Sequence, residues 1–178
     1  MIREIVQKGY PVLAKTASPI NFPTDKEEAR SIAIGIVDTL SHLLTTREYT
    51  KGVGLAAPQI GFGKRMFGLA FSNEPITIFV NPEIIKMSLD ADFQYEGCLS
   101  FFDVRGRVSR VLNLELRYYD VSGSIHEISF NAGKARIVQH EIDHIDGILY
   151  DQRMNGNDRL VPYSEYLNMK EKDWKYVP

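Results

Sequence analysis

His140-Glu141-Ile142-Asp143-His144 is the stretch that most constrains the fold and chemistry of this 178-residue chain. On an α-helix, side chains four residues apart share one face, so both imidazoles reach a single divalent ion. In this pattern the glutamate usually serves as the acid or base that moves the protons of a metal-activated water. Two histidines at this spacing also occur on ordinary packed helices, so the context has to decide. The stretch predicts a helix with one metal-binding face.

Cys98 supplies that context as the only cysteine of the chain. It follows Gly97, which permits an uncommon backbone geometry and a close approach of the main chain to a ligand. A thiolate is a soft metal ligand, whereas a lone cysteine is otherwise most often a small buried hydrophobic residue. One cysteine cannot form an internal disulfide, and a thiolate ligand suits a reducing compartment.

A third stretch, Gly52-Val53-Gly54-Leu55-Ala56-Ala57-Pro58-Gln59-Ile60-Gly61, combines glycines, small apolar residues and one amide. Together, Gly52–Gly61, Glu96–Ser100 and Gln139–Gly147 resemble the three signature motifs of peptide deformylases in order and approximate spacing. The resemblance extends over most of the chain, from about Ile2 to Met154. It implies a metal-dependent amide hydrolase.

Length and composition predict one domain over residues 1–178, because 44% hydrophobic residues are enough to bury a sizeable core, and the resemblance implies that this domain is catalytic. The net charge of −2 argues against direct binding to nucleic acid, which normally needs clustered lysine and arginine. We see no secretory signal and no apolar run of the roughly 20 residues that span a bilayer. We therefore expect a soluble cytoplasmic protein without a membrane partner.

Glycine and proline interrupt the first 23 residues, which favours short extended pieces that wrap a surface. Thr24 or Asp25 then caps an amphipathic helix, and His42 is expected on its solvent side. Its apolar positions recur at spacings of three and four. They are Ala29, Ile32, Ala33, Ile36, Val37, Leu40, Leu43 and Leu44.

The region from Met66 to Phe130 has the residue types of β-strands. Strands are predicted at Met66–Phe71, Ile76–Asn81, Leu112–Tyr119 and Ile125–Phe130, with turns at 72–75 and 120–123. His126, on the last strand, is expected to face solvent.

Asn131 is predicted to cap the histidine-bearing helix and Gly147 to end it. A further short helix is predicted over Ser164–Lys172. The expected fold is α+β, with mostly antiparallel sheets packed around a central C-terminal helix carrying HExxH and an N-terminal amphipathic helix.

On the histidine-bearing helix, some side chains should face the core and others a cavity. The core side holds Ala135, Val138, Ile142 and Ile145, and the cavity side holds Arg136, Ile137, His140, Glu141 and His144. With Cys98, His140 and His144 as metal ligands, a tetrahedral ion keeps its fourth position free for water, as in catalytic sites. Glu141 would then act as the acid/base.

By resemblance to peptide deformylases, the side-chain amide of Gln59 and the backbone N–H of Leu99 stabilise the negative charge that develops on the carbonyl oxygen. The resemblance also implies that the substrate is an N-formyl-methionyl nascent peptide, met at the ribosome, and that formate is released. Gly54 and neighbouring backbone would pair with the peptide as an added strand. Val53 and Ile137 would form the wall of the methionine pocket. We expect a monomer.

One divalent ion per chain is expected. A Cys-His-His set accommodates zinc, iron(II), nickel or cobalt. The resemblance favours iron(II) for activity, with zinc as an occupant after purification.

Around the metal, Gln139, Asp143 or backbone carbonyls are expected to accept the second ring N–H of each histidine. Glu96, two residues before the thiolate, would add negative charge unless Arg110 or Arg105 pairs with it.

The chain departs from the family after its cysteine motif, where Phe101 and Phe102 replace an aliphatic residue and a proline or small residue. They are expected to narrow the cleft, to alter which peptides bind, or to fill core space.

Two other functions stand beside the deformylase one. A related metallo-amidase would act on a different formylated molecule or on an ordinary peptide bond, as other HExxH proteases do. A non-catalytic binding protein should have lost Glu141, Gln59 or a ligand, and the sequence retains all of them.

Overall fold

Three α-helices, eight β-strands and three short 3-10 helices make up the described part of the protein. The structure, a computed structural model, describes residues 1–46, 49, 51–71 and 73–169, with only the backbone of Phe102. The helices are α1 Lys26–Thr46, α2 Ala132–Ile145 and α3 Tyr163–Asn168. The strands are β1 Val53–Ala56, β2 Met66–Ala70, β3 Thr77–Met87, β4 Ala91–Cys98, β5 Phe101–Val111, β6 Asn113–Tyr119, β7 Ile125–Asn131 and β8 Val161–Pro162.

Helix α1 begins directly after Asp25, whose carbonyl accepts the N–H of Ala29 at 2.9 Å. Two glutamates in its first turn favour the positive end of the helix dipole. The buried stripe includes Ile32, Ile36 and Leu40 and packs on the five-stranded sheet. Leu44, predicted on this stripe, is instead exposed, because the helix has by then passed beyond the edge of the core. His42 is exposed, as predicted.

The larger sheet has the strand order β1-β2-β3-β6-β7, and every neighbouring pair is antiparallel. Strands β2, β3, β6 and β7 fall on the four predicted ones, although β3 continues six residues past the predicted end at Asn81. A turn at 120–123 joins β6 to β7, as predicted, with Gly123 at φ +94°. Within the described ranges β1 pairs with β2 alone, and its residues Val53 and Gly54 line the pocket described below.

The smaller sheet has the order β4-β5-β8 and provides the cysteine. Cys98 lies at the end of β4, and a register shift between Glu96 and Cys98 marks the tight return to Phe101 on β5. The sequence predicts strands between Met66 and Phe130 but gives no separate bounds for β4 and β5. Polar residues occur on both faces of β4 because one side lines a pocket, and this obscures the alternation that identifies a strand.

Helix α2 packs against strands of both sheets and carries the histidines. Ala135, Val138 and Ile145 are buried in a core cluster with the aromatic side chains of β2, β3 and β7, and Ile142 packs partly buried on the same cluster. The predicted α+β class, with antiparallel sheets and a C-terminal helix, is confirmed.

Helix α3 occupies the predicted region but ends at Asn168. The rest of the predicted Ser164–Lys172 helix, from Lys170 onward, lies outside the described residues. Of the helices in the described ranges, none combines the length and apolar character needed to cross a bilayer.

The N-terminal residues form a strap across two of the sequence motifs. The N–H of Val6 donates to the carbonyl of Gln59 at 2.9 Å, and the N–H of Lys8 donates to the carbonyl of Ser100 at 2.8 Å. The strap thus ties the Gly52–Gly61 segment to the turn that follows Cys98.

Substituting Gly68→Ala tests the packing of α1 on β2. A Cβ at Gly68 would lie 2.5 Å from Ile36 Cγ2 and 3.1 Å from both Ile78 and Leu40. We expect the free energy of unfolding to fall by about 1–3 kcal/mol, the usual cost of overpacking. Denaturant unfolding measures it, with Gly156→Ala as the control, since a Cβ there meets nothing within 4 Å. Equal stability of the two variants would show that α1 does not press on this strand.

Candidate metal centre

Cys98, His140 and His144 converge, and their potential ligand atoms all lie within 4.8 Å of one another. The Sγ atom of Cys98 is 3.1 Å from Nε2 of His144. Helix α2 supplies both imidazoles from successive turns, with ring centroids 5.0 Å apart, and β4 supplies the thiol from the opposite sheet. The sequence prediction had grouped these three side chains, and the fold brings them together.

Glu96 orients one of the histidines. Its Oε2 lies 3.0 Å from Nδ1 of His140, which leaves Nε2 of that ring for a metal. The same carboxylate accepts hydrogen bonds from Arg110 at 3.0 Å, to each oxygen, and from Arg136 at 2.6 Å. The carboxylate two residues before the thiolate is therefore paired, as predicted, with Arg110.

Glu96 accepts the ring N–H of His140, so the prediction that Gln139 or Asp143 accepts it is wrong. Gln139 exchanges hydrogen bonds with the backbone of Val111 at 3.1 and 3.0 Å. Asp143 accepts from Arg110 and Arg153. The sequence pattern missed Glu96 in this role because the contact joins positions 44 residues apart.

Around Glu96 and Arg110, the effect of charge pairing on the pKa values is larger than the opposing effect of burial. Burial opposes the carboxylate charge, but Arg110 and the His140 ring hold the pKa of Glu96 well below its usual range. Burial likewise opposes the guanidinium charge, yet the carboxylates of Glu96 and Asp143 raise the pKa of Arg110. Both groups are therefore ionised, and Glu96 is an acceptor for the His140 N–H at all ordinary pH values.

Arg105, the alternative partner considered for Glu96, has its guanidinium 4.4 Å from the Tyr163 ring centre. It also occupies the space beside Gly97, where a Cβ would lie 2.5 Å from the guanidinium carbon. A side chain at this position would therefore displace the Arg105 guanidinium.

The Gln59 side chain is held in one orientation. Its Oε1 accepts the N–H of Ala56 at 2.8 Å, so its NH2 group points the other way, to Cys98 Sγ at 3.6 Å and Ser100 Oγ at 3.3 Å. A short 3-10 helix over Ala57–Ile60 provides this geometry. An amide donor is consequently fixed next to the thiol.

Glu141 is only 2% exposed, and its Oε2 has no hydrogen-bond partner among the described residues. Burial raises the pKa of Glu141 to about 7. The carboxylate lies against Gly54, where a Cβ would stand 2.4 Å from Oε1. A buried, unsatisfied carboxyl group with a raised pKa is characteristic of an acid/base residue.

A pocket of about 530 Å³ opens onto these groups. Of the predicted catalytic, substrate-binding and metal-ligand residues, those that line it are Val53, Gly54, Gln59, Cys98, Leu99, Ile137, His140 and Glu141, whereas His144 is not a lining residue. Among the lining residues that sequence reasoning missed are Tyr49, Lys51, Phe71, Glu74, Gln94, Tyr95 and Lys134.

Lys51 precedes the first motif by one residue, and this position is a signal that could have identified it as a pocket residue. Desolvation, and then the Arg136 guanidinium, lowers the pKa of Lys51 to about 8.

Phe101 fills core space, which was one of its three predicted roles. Its ring packs 5.8 Å from that of Tyr150, and the Lys8 ammonium lies 4.3 Å above it. It is not among the described residues that line the pocket. The side chain of Phe102 lies outside the described residues.

His126 is exposed on β7, as predicted. Its ring stacks 5.3 Å from Tyr118, and its Nε2 lies 2.8 Å from Asp120. The contact with Asp120 links His126 to the turn between β6 and β7.

The donor set fits a divalent metal ion. One sulfur and two imidazole nitrogens match the preferences of zinc and of iron(II), and three protein ligands leave room for a fourth. Cys98 and His140 line the pocket, so that fourth position is accessible from it. Buried Nδ1 of His144 has no hydrogen-bond partner among the described residues, so its ring is oriented by packing and by its neighbours at Nε2.

Comparison with known proteins points to one family. A sequence profile described as polypeptide deformylase matches residues 2–160. The peptide deformylase of Thermotoga neapolitana is 35% identical over 153 residues, covering 86% of this chain and 87% of the relative. That of Cytophaga hutchinsonii is 34% identical over 181 residues, covering 97% and 93%.

Solved structures agree with the sequence matches. The class I type b peptide deformylase of Acinetobacter baumannii with K1U bound has a TM-score of 0.77 and 32% identity, covering 86% of this chain and 99% of that one. The Thermotoga maritima enzyme has a TM-score of 0.76 and 31% identity, covering 87% and 99%. A Met-Ala-Ser-bound structure of the A. baumannii protein has a TM-score of 0.75 and 30% identity, covering 86% and 99%.

Substituting Arg110→Ala tests the ion cluster. It leaves Glu96 and Asp143 buried with fewer partners, so we expect the free energy of unfolding to fall by about 3–5 kcal/mol. The matched control is Arg117→Ala, which breaks an exposed pair with Glu127 and should cost less than about 1 kcal/mol. Denaturant unfolding of the metal-free proteins measures both. A loss for Arg110→Ala no larger than for Arg117→Ala would contradict the proposed pairing.

Proposed function

The chain belongs to the peptide deformylase family, and from that premise we propose that Cys98, His140 and His144 hold one divalent metal ion and that Glu141 moves the protons of the reaction. The enzyme is a metal-dependent hydrolase that removes the N-formyl group from the initiator methionine of nascent polypeptides. Formate and a free amino terminus are the products.

The convergence of one thiolate and two imidazoles next to a buried carboxyl group supports this assignment of roles. A divalent ion held there would lower the pKa of a water molecule and polarise the formyl carbonyl. Glu141 faces the same pocket, and its Oε2 is unpaired among the described residues. It accepts a proton from the attacking water and finally delivers one to the leaving amine.

Negative charge on the formyl oxygen requires donors that are fixed in advance. We assign this role to the side-chain NH2 of Gln59 and the backbone N–H of Leu99, each typically worth about 3 kcal/mol. The hydrogen bond from Ala56 to Gln59 Oε1 supports the assignment, since it directs the NH2 group toward the thiol. Leu99 directly follows the thiol and lines the pocket.

The peptide is proposed to bind along the free edge of β1 at Gly54, with main-chain hydrogen bonds providing affinity that is independent of sequence. Val53 and Ile137 provide apolar walls for the methionine side chain. The Met-Ala-Ser complex of the A. baumannii relative supports a peptide of this kind as the occupant of the pocket. We further propose that residues 1–178 form a single domain and that the protein is a monomer. It acts in the cytoplasm on chains that emerge from the ribosome.

Iron(II) is the proposed native metal, with zinc, nickel and cobalt as substitutes that the same ligands accept. The pocket gives small molecules access to Cys98, so oxygen reaches both the thiolate and the metal position.

Substituting Glu141→Gln tests the reaction and the acid/base role together. The amide cannot accept the proton, so we expect kcat for formate release from a formyl-Met-Ala-Ser peptide to fall by about 10²–10⁴-fold with the metal content unchanged. Glu115→Gln, which changes an exposed carboxylate paired with Lys86, is the control and should retain full activity. Release of formate by Glu141→Gln at the wild-type rate would refute the role. Cleavage of an internal peptide bond by the wild type, without formate release, would instead favour a related metallo-amidase.

Anaerobic reconstitution tests the metal. We expect the iron(II) protein to be more active than the zinc protein and to lose activity on exposure to air, while the zinc protein is stable in air. Formate release and metal content are measured on the same samples. Equal activity of the two anaerobic preparations would leave no reason to prefer iron.

A further inference from the structure

Asp143 lies between the two histidines on α2 and is 4% exposed. It receives hydrogen bonds from two guanidinium groups: Arg110 Nη1 donates to Oδ2 at 2.6 Å, and Arg153 Nη2 donates to Oδ1 at 2.7 Å. Arg153 also donates from Nε to Oδ1 at 3.2 Å and to Oδ2 at 3.3 Å. Arg153 belongs to the short 3-10 helix Tyr150–Arg153, and its side chain is 47% exposed.

These contacts continue the pairing around Glu96 out to the protein surface. Charges alternate in sign along Arg153, Asp143, Arg110 and Glu96, and the last carboxylate orients the His140 ring. Arg110 and Glu96 are buried, so their interactions are weakly screened by solvent. Replacing Arg153 at the exposed end should therefore alter the hydrogen bonds of Arg110 and Glu96, because these buried groups have few alternative partners.

Arg110 divides its donors between two carboxylates. Nε and Nη2 bind Glu96, and Nη1 binds Asp143. Without Arg153, Oδ1 of Asp143 would lose the two hydrogen bonds that the described residues provide to it. That uncompensated charge would draw Arg110 toward Asp143 and away from Glu96, which would change how Glu96 holds His140.

We propose that Arg153 is a positioning residue for the metal centre: by pairing with Asp143 it keeps Arg110 on Glu96, and thereby keeps the His140 ring oriented for metal binding. This inference rests on the proposed ligands Cys98, His140 and His144. Arg153 is not among the described residues that line the pocket, and its hydrogen bonds to Asp143 are the first step of the series through Arg110 and Glu96 to His140.

The positioning role and simple electrostatics predict opposite changes in metal affinity when Arg153 is replaced. Removing a positive charge near a bound cation should strengthen binding of that cation. Removing a group that orients a ligand weakens metal binding, typically by 10–100-fold when the group contacts the ligand directly. Arg153 acts on His140 through three intervening residues, Asp143, Arg110 and Glu96, so we expect about a 10-fold loss of metal affinity, in the opposite direction to the electrostatic effect.

The experiment measures the affinity of the metal-free full-length protein for zinc and cobalt(II) by competition with a chelator. Arg153→Met should bind both metals about 10-fold more weakly and alter the cobalt–thiolate absorption band. Arg153→Lys, which keeps the charge and an N–H donor, should stay within about threefold of the wild type. Arg159→Met is the matched control, because it removes one charge and one exposed ion pair, with Glu165, away from the centre.

Wild-type or tighter metal binding by Arg153→Met would overturn the proposal. Thermal unfolding of the metal-free variants checks that they fold. If Arg153→Met does not fold, Arg153→Gln, which keeps a donor without the charge, should show intermediate affinity, and wild-type affinity there would overturn the proposal equally. Cys98→Ser separates this inference from the ligand assignment. If Cys98→Ser binds metal with wild-type affinity, the proposed ligands are wrong. If Cys98→Ser loses metal affinity but Arg153→Met does not, the ligands stand and only the role of Arg153 is refuted.

Discussion

The Glu96 carboxylate is the interaction on which the rest of the site depends. It belongs to β4, receives Arg110 from β5, and receives Arg136 and His140 from α2. One buried anion thus joins the cysteine-bearing hairpin to the histidine-bearing helix and sets the direction of a ligand ring. A buried charge that lacked these partners would cost several kcal/mol, so the hairpin and the helix are stable together in one relative position.

Local sequence rules were enough for the parts of the site that lie within a single element. The spacing of His140 and His144 fixes their shared face through helix geometry alone. Cys98 was a candidate ligand because a thiolate is a soft donor, whereas the role of Gln59 came only from the resemblance of its motif to that of peptide deformylases. The stripe of α1 and the strands β2, β3, β6 and β7 followed from periodicity in the same way.

The parts that sequence could not predict depend on contacts between distant segments. Glu96 appeared as an unfavourable charge beside the thiolate, and only the fold shows that it accepts the His140 N–H. Strands β4 and β5 escaped exact placement because residues such as Gln94 and Arg105 face a pocket instead of alternating between core and solvent. The close approach of the Glu141 carboxylate to Gly54, where a Cβ would stand 2.4 Å from Oε1, is another contact between distant segments that only the fold shows.

The N-terminal strap holds the Gln59 segment and the turn after Cys98 at a fixed separation. Val6 and Lys8 are two positions apart, and their N–H groups donate to Gln59 and Ser100 at once. Inserting a single residue between them would change the separation of the two donors, so the strap could not make both hydrogen bonds without rearranging. The spacing of Val6 and Lys8 in the strap therefore helps to fix the distance between the Gln59 segment and the turn after Cys98. Neither residue lines the pocket.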